Sequence, residues 1–256
     1  MCLKNKFLAF LFILSNVGVS AFQPAKGLQI HKVIQGGKIA TEKSKSWRSV
    51  VRLYISGDYT CTGTFIGYRK ILTAAHCLKD RHLTSVTFFK GGDYYSNVPL
   101  EKAEQRIKLN HLFSSGQYSE DMAMVYLNKN IMPSGYYPMN IVTSADISDF
   151  SDLIGKTAYM IGASRNKMGT LAFAKGVIEN TYSSIDVKGE RARAGICGGD
   201  SGGPLVIDNG RELILLGVLA GYHMSYNKEA GDDCTEGGHY APYTSWAYDY
   251  FNETES

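Results

Sequence analysis

Apolar residues fall along this chain in short runs, each bounded by turn-forming residues. Runs rich in β-branched, leucine and aromatic side chains occupy 50–55, 62–66, 71–73, 86–89, 107–109 and 122–127. A second set occupies 158–161, 171–178, 205–207 and 213–219, and Gly, Asp, Asn and Ser separate the runs. Many short strands joined by tight turns predict an all-β sandwich or barrels. The period changes near the end. Trp246, Tyr250 and Phe251 stand at offsets of four and five, which predicts a helix over 245–251.

The first residues have a different pattern. Lys4 and Lys6 precede an apolar run over 7–14, and Val19-Ser20-Ala21 follows with small residues. That order predicts a secretory signal over 1–21, cleaved after about Ala21, and the apolar run is short for a membrane span. Residues 22–33 are short, polar and basic and are expected to form a propeptide, which leaves a domain over 34–256. The expected location is secreted: extracellular, or periplasmic in a bacterial host.

Composition narrows the class without choosing a chemistry. The chain has 256 residues, 44% of them hydrophobic, enough for a sizeable core in one or two domains. Its 27 glycines and 17 tyrosines suit a β-rich, loop-rich fold. Net charge is +3, from 27 basic against 24 acidic residues, and no basic stripe stands out, so nucleic acid is not an expected partner. After the signal, Cys61, Cys77, Cys197 and Cys234 remain. An even count fits an oxidising compartment, and four cysteines allow three pairings. The spacings contain no close Cys-x-x-Cys pair, so no metal is expected, and no cofactor motif is present. Asn252-Glu253-Thr254 is a glycosylation sequon.

Candidate chemistry begins at Gly198-Gly199-Asp200-Ser201-Gly202-Gly203-Pro204. Glycines permit backbone conformations that other residues avoid, and they let N–H groups approach a bound atom closely. A serine inside such a loop is presented as a nucleophile beside oxyanion donors. Taken alone, the heptapeptide is equally a glycine-rich turn. Upstream, however, stands Thr73-Ala74-Ala75-His76-Cys77, and between the two stands Asp121-Met122-Ala123-Met124. The order His, Asp, Ser with these neighbours resembles the trypsin/chymotrypsin family of serine proteases. The resemblance also covers Ile34-Gln35-Gly36-Gly37, Cys61-Thr62-Gly63-Thr64-Phe65-Ile66 and Gly237 to Tyr240, so it spans nearly all of the chain after residue 33.

The resemblance implies two antiparallel six-stranded β-barrels with the active site between them and a C-terminal helix. His76 and Asp121 would lie in the first half, Ser201 in the second, with 128–151 as the crossover and the helix packed on the second barrel. It implies the triad His76, Asp121 and Ser201: base, orienting carboxylate and nucleophile. Oxyanion donors would be the N–H groups of Gly199 and Ser201. The implied disulfides are Cys61–Cys77 and Cys197–Cys234. Cleavage near Lys32 would free an α-amino group to pair with Asp200 and switch a zymogen on. Lys32 is followed by Val33-Ile34-Gln35-Gly36-Gly37, one residue longer than the family's usual start, so cleavage after Lys32 and after Val33 both remain open.

The substrate pocket departs from the family's pattern. Gly195 stands six residues before Ser201, where trypsin-like members carry an aspartate. Ala220, Gly221 and Tyr222 stand where the family has Ser-Trp-Gly, while Gly238 keeps the usual small residue. A neutral floor predicts preference for an apolar or small side chain over Arg or Lys. The expected partners are a protein or peptide substrate and an activating protease, with the chain a monomer and not inserted in a membrane. The alternative is a catalytically silent protease homologue that acts as a binding protein.

Overall fold

Two sheets account for the fold over the described residues, which are 37–114, 116–141, 150–163, 170–189, 195–222 and 237–253 of this computed structural model. All of them belong to the compact unit His31–Ser256. The candidate signal (1–21), the propeptide (22–33), Ile34 and Cys234 lie outside the described residues.

A two-residue strand β1 (Lys38–Ile39) precedes the first sheet, which contains β2 (Val50–Ile55), β3 (Tyr59–Gly67), β4 (Lys70–Thr73), β5 (Leu83–Lys90), β6 (Asp93–Pro99), β7 (Gln105–Leu109) and β8 (Ala123–Leu127). Its seven strands run in the order β6-β5-β2-β3-β4-β8-β7, all antiparallel. Val50, Leu53, Phe65, Ile71, Leu72, Val86 and Phe88 are all fully buried in its core. In place of the expected closed six-stranded first barrel stands this seven-stranded path, whose ends share no ladder among the described residues. The reason lies in β5, which carries β2 on one edge and β6 on the other from Ser85 to Lys90. Only its start is left for β7, and there a side chain makes the rung. The Leu83 N–H donates to Gln105 Oε1 (2.9 Å), and Gln105 Nε2 donates to the Leu83 carbonyl (2.8 Å).

The second sheet does close. After β9 (Asn140–Ile141) come β10 (Thr157–Ala163), β11 (Leu171–Asn180), β12 (Ile185–Gly189), β13 (Pro204–Asp208), β14 (Leu213–Tyr222) and β15 (Gly237–Pro242). The ladder runs β11-β10-β13-β14-β15-β12 and returns from β12 to β11, a six-stranded antiparallel barrel. Strand β1 adds to the outer edge of β11, and β9 pairs in parallel with β14. Ala158, Met160, Ile178, Ile185, Leu205, Leu216 and Tyr240 fill the interior.

Among the described residues there are two short α-helices, α1 (Ala75–Leu78) and α2 (Ser245–Asn252). Thr244 caps α2 by accepting the Ala247 N–H at 3.3 Å. This helix packs on the first sheet, not on the second barrel as expected. The last carbonyls of a helix have no partner inside it, and here first-sheet side chains supply them. Lys108 Nζ donates to the Tyr250 carbonyl (2.5 Å) and the Tyr126 hydroxyl to that of Phe251. In return the Tyr250 hydroxyl donates to the Leu109 carbonyl (2.9 Å), and the ring lies 5.0 Å from that of His111. Among the described residues, no helix is long and apolar enough to cross a membrane.

Candidate active site

Strand β4 delivers the chain into the single turn of α1, where Ala75, Cys77 and Leu78 are buried and His76 is half exposed. A disulfide between Cys61 and Cys77 ties this turn to β3, matching the expected pair. Cys197 is also disulfide-bonded, and Cys234, its expected partner, falls outside the described residues.

Asp121 is buried two residues before β8 and faces α1. Its carboxylate grips His76 twice: Oδ1 accepts the backbone N–H at 2.8 Å, and Oδ2 lies 2.5 Å from Nδ1. A carboxylate only accepts hydrogen bonds, so Nδ1 carries the proton and Nε2 is left as the basic nitrogen when the ring is neutral. His76, Gly199 and Ser201 line one cleft of about 520 Å³, together with Tyr59 and both cysteines of the Cys61–Cys77 disulfide. Among the described residues no hydrogen bond joins Ser201 Oγ to His76 Nε2. Such contacts often tighten only when substrate is bound.

The loop before Ser201 is a closed turn. The Asp200 N–H donates to the Cys197 carbonyl at 3.1 Å, and Gly199 has φ of +97°. A positive φ at the third position of a turn is the requirement that type II turns place on glycine. Gly202 (φ +79°) is equally constrained by space, because a Cβ there would lie 2.1 Å from Thr73 Oγ1. Among the described residues, neither the Gly199 nor the Ser201 N–H is engaged by a backbone acceptor.

Asp200 points away from the cleft into the protein and is 1% exposed. Its Oδ2 accepts the Cys197 N–H at 2.9 Å, while Oδ1 is buried with no partner among the described residues. Gly162 makes room for Oδ1, since a Cβ there would sit 2.1 Å from it. Burial pushes this carboxyl up to about 7, against the lowering effects of the Cys197 N–H and the Arg52 charge.

Of the residues expected to line a pocket, β14 and β15 carry Ala220, Gly221, Tyr222 and Gly238, and two side chains that sequence reasoning missed, Ile196 and Tyr118, lie against these strands. Gly195 and Ala220 are buried, Tyr222 is exposed, and Gly238 pairs with Tyr222 across the adjacent strands β14 and β15. Ile196, buried, places Cδ1 2.3 Å from where a Gly238 Cβ would be, so an apolar branch fills this region. Tyr118 covers Gly221, with Cε1 2.3 Å from the site of a Cβ there. The motif gave no sign of either contact, and the absence of a side chain at Gly221 is what leaves room for the Tyr118 ring. Tyr118 stacks on His239, whose Nδ1 lies 2.7 Å from Asp186 Oδ1. Among the described residues, the cluster with metal-ligand proximity is Cys61, His76 and Cys77. The disulfide consumes both of its thiols, which leaves no thiolate ligand.

The Trypsin family model matches residues 34–249. Trypsin beta of Drosophila erecta is 27% identical over 222 residues, covering 79% of this chain and 84% of that protein. Glucanase inhibitor protein 3 of Phytophthora sojae (strain P6497) is 28% identical over 241 residues, covering 85% and 88%. Among solved structures, HL collagenase superposes with a TM-score of 0.63 at 19% identity, covering 85% of this chain and 98% of that one. At that identity it supports the fold.

Proposed function

Because the chain belongs to the trypsin family of serine proteases, we propose that it is a secreted serine endopeptidase, made as a zymogen, that cleaves peptide bonds through an acyl-enzyme. The observation that carries this reading is the double grip of Asp121 on His76 in the cleft that Ser201 shares. His76 Nε2 takes the proton of Ser201 Oγ as that oxygen attacks the scissile carbonyl carbon. The carbonyl oxygen becomes an oxyanion, which the N–H groups of Gly199 and Ser201 stabilise. His76 then protonates the leaving amine, the C–N bond breaks, and a water deprotonated by His76 releases the acyl group. Asp121 holds the tautomer and offsets the imidazolium charge.

Activation follows from Asp200. Its buried, unpartnered Oδ1 is chemically suited to an ammonium group, and cleavage after Lys32 or Val33 would free one. The neutral pocket region at Gly195, Ile196, Ala220 and Gly238 favours an apolar or small side chain at the cleaved position.

One sample of secreted protein tests the reading, by mass spectrometry of the mature N-terminus and fluorophosphonate labelling. A start at Val33 or Ile34 with Ser201 labelled, and no labelling of Ser201→Ala, is the expected result. The second reading, a silent homologue that acts as a binding protein, draws on the relative named as a glucanase inhibitor. A correctly processed chain whose Ser201 stays unlabelled would decide for it.

A further inference from the structure

We propose that Thr62 is the residue that positions the oxyanion hole, an inference that rests on the protease reading above. Thr62 lies in β3 of the first sheet and is fully buried. Its backbone N–H donates to the carbonyl of Ser201 at 2.8 Å. Its hydroxyl donates to the carbonyl of Gly199 at 2.9 Å. Those carbonyls belong to the two residues whose N–H groups would hold the oxyanion. One residue on the opposite sheet therefore fixes both of them from behind.

The hydroxyl is needed because it acts in both directions. While donating to Gly199 it accepts the N–H of Ala163 at the end of β10, 3.0 Å away. Thr62 itself is held by Thr73 Oγ1, which donates to its carbonyl at 2.8 Å. The result is a rigid path from β4 through β3 to the loop and to the second barrel. The loop has little rigidity of its own, because Gly198 and Gly199 are adjacent and glycine populates several backbone wells. Gly199 sits at φ +97°, and a rotated peptide would turn its N–H out of the cleft. Holding the Gly199 and Ser201 carbonyls restrains ψ on both sides of Asp200, which is already anchored through the Cys197 N–H. Oxyanion donors are effective when they are oriented before the charge appears.

The test compares Thr62→Val, which keeps the shape and loses the hydroxyl, with Thr62→Ser, which keeps it. Both are measured in the processed enzyme with a peptide substrate and a fluorophosphonate. Thr62→Val is expected to lower kcat and labelling rate by about tenfold to a hundredfold, less than loss of a whole donor. KM and the pH midpoint of kcat should stay unchanged, because neither binding nor His76 is touched, and Thr62→Ser should recover most of the rate. An active wild type with an equally active Thr62→Val, or a loss carried by KM, or no recovery in Thr62→Ser, overturns this inference and leaves the protease reading intact. If Thr62→Val does not fold, Thr62→Ala is read in the same way. Failure of both to fold assigns the hydroxyl to the scaffold and overturns the inference. A processed wild type that neither cleaves nor labels overturns the protease reading and this inference with it.

Discussion

Tyr118 lies flat on His239, with ring centroids 4.5 Å apart and planes 4° from parallel. The two come from different sheets: Tyr118 precedes β8 in the first, and His239 lies in β15 of the second. The Tyr118 carbonyl accepts the Asp121 N–H at 3.3 Å, so the ring and the Asp121 carboxylate share one turn. Tyr118 fills the space over Gly221 where the family's tryptophan is missing, and Asp186 steadies its support at His239. Tyr118→Ala is expected to broaden which residues are accepted upstream of the cleaved bond, without changing the rate of fluorophosphonate labelling. Peptide-library profiling of both proteins checks this. An unchanged profile would mean that Tyr118 does not line the substrate groove.

Asp200 gives the chain a specific pH dependence of stability. Burial raises its pKa from 3.8 to about 7, so between these values the folded state binds more protons than the unfolded state. The contribution of Asp200 to stability therefore falls as pH rises through this interval. Thermal unfolding of uncleaved Ser201→Ala should show that decline, and Asp200→Asn should flatten it. Cleavage that supplies an ammonium partner to Oδ1 should lower the pKa and remove the decline. An uncleaved chain whose stability rises over the same interval, with Asp200→Asn unchanged, would contradict the assignment.

What could be read in the sequence was whatever local pattern determines. The run at 50–55 is β2 to the residue, because Val50, Val51, Leu53 and Ile55 are β-formers that the sheet buries. Strand β15, with the sequence GGHYAP, escaped detection because two glycines and a proline read as a turn until β12 and β14 flank it. The edge strand β6, with the sequence DYYSNVP, is mostly exposed and carries little apolar signal. The helix at 245–251 was legible as an element but not in its docking, since Lys108 and Tyr126 stand more than a hundred residues away in the chain. The site divides in the same way. His76, Asp121 and Ser201 carry motifs, whereas Thr62, Tyr118 and Ile196 reach the candidate site through contacts between distant segments that no spacing rule encodes.

The Cys61–Cys77 disulfide closes a loop with a sequence separation of 16 and anchors the turn that carries His76. Replacing both cysteines by alanine should cost about 3 kcal/mol through restored freedom of the unfolded chain. Activity should fall further than stability at temperatures where the protein remains folded, because α1 is one turn long and loses its tie to β3. Denaturant unfolding alongside kcat/KM measures both. Equal activity with reduced stability would show that the burial of Ala75 and Leu78 alone positions His76.

Asp121→Asn retains the shape of the carboxylate and removes its charge. An amide can donate to Nδ1, which favours the tautomer with the proton on Nε2, the wrong nitrogen for a base. The expected loss in kcat at neutral pH is roughly four orders of magnitude. Binding of a substrate-like product peptide should not change, because Asp121 lies behind His76 and is 4% exposed. A loss smaller than tenfold would show that the backbone hold on His76 dominates its orientation.

Ile196 sets the depth of the pocket in the protease reading. It follows Gly195 and packs against Leu219 and Gly238, where an added Cβ would meet Ile196 Cδ1 at 2.3 Å and Leu219 Cδ1 at 2.9 Å. Shortening it to alanine removes apolar volume from a buried site, at a stability cost of about 2–5 kcal/mol. The same space becomes available to the substrate. Ile196→Ala is therefore expected to shift preference at the cleaved position from small or medium apolar side chains towards phenylalanine and tyrosine. Cleavage rates over a peptide series that varies only this residue, measured well below the unfolding temperature, check the shift. A series whose rank order is unchanged would place the recognition of that side chain elsewhere, with the exposed Tyr222 as the next residue to vary.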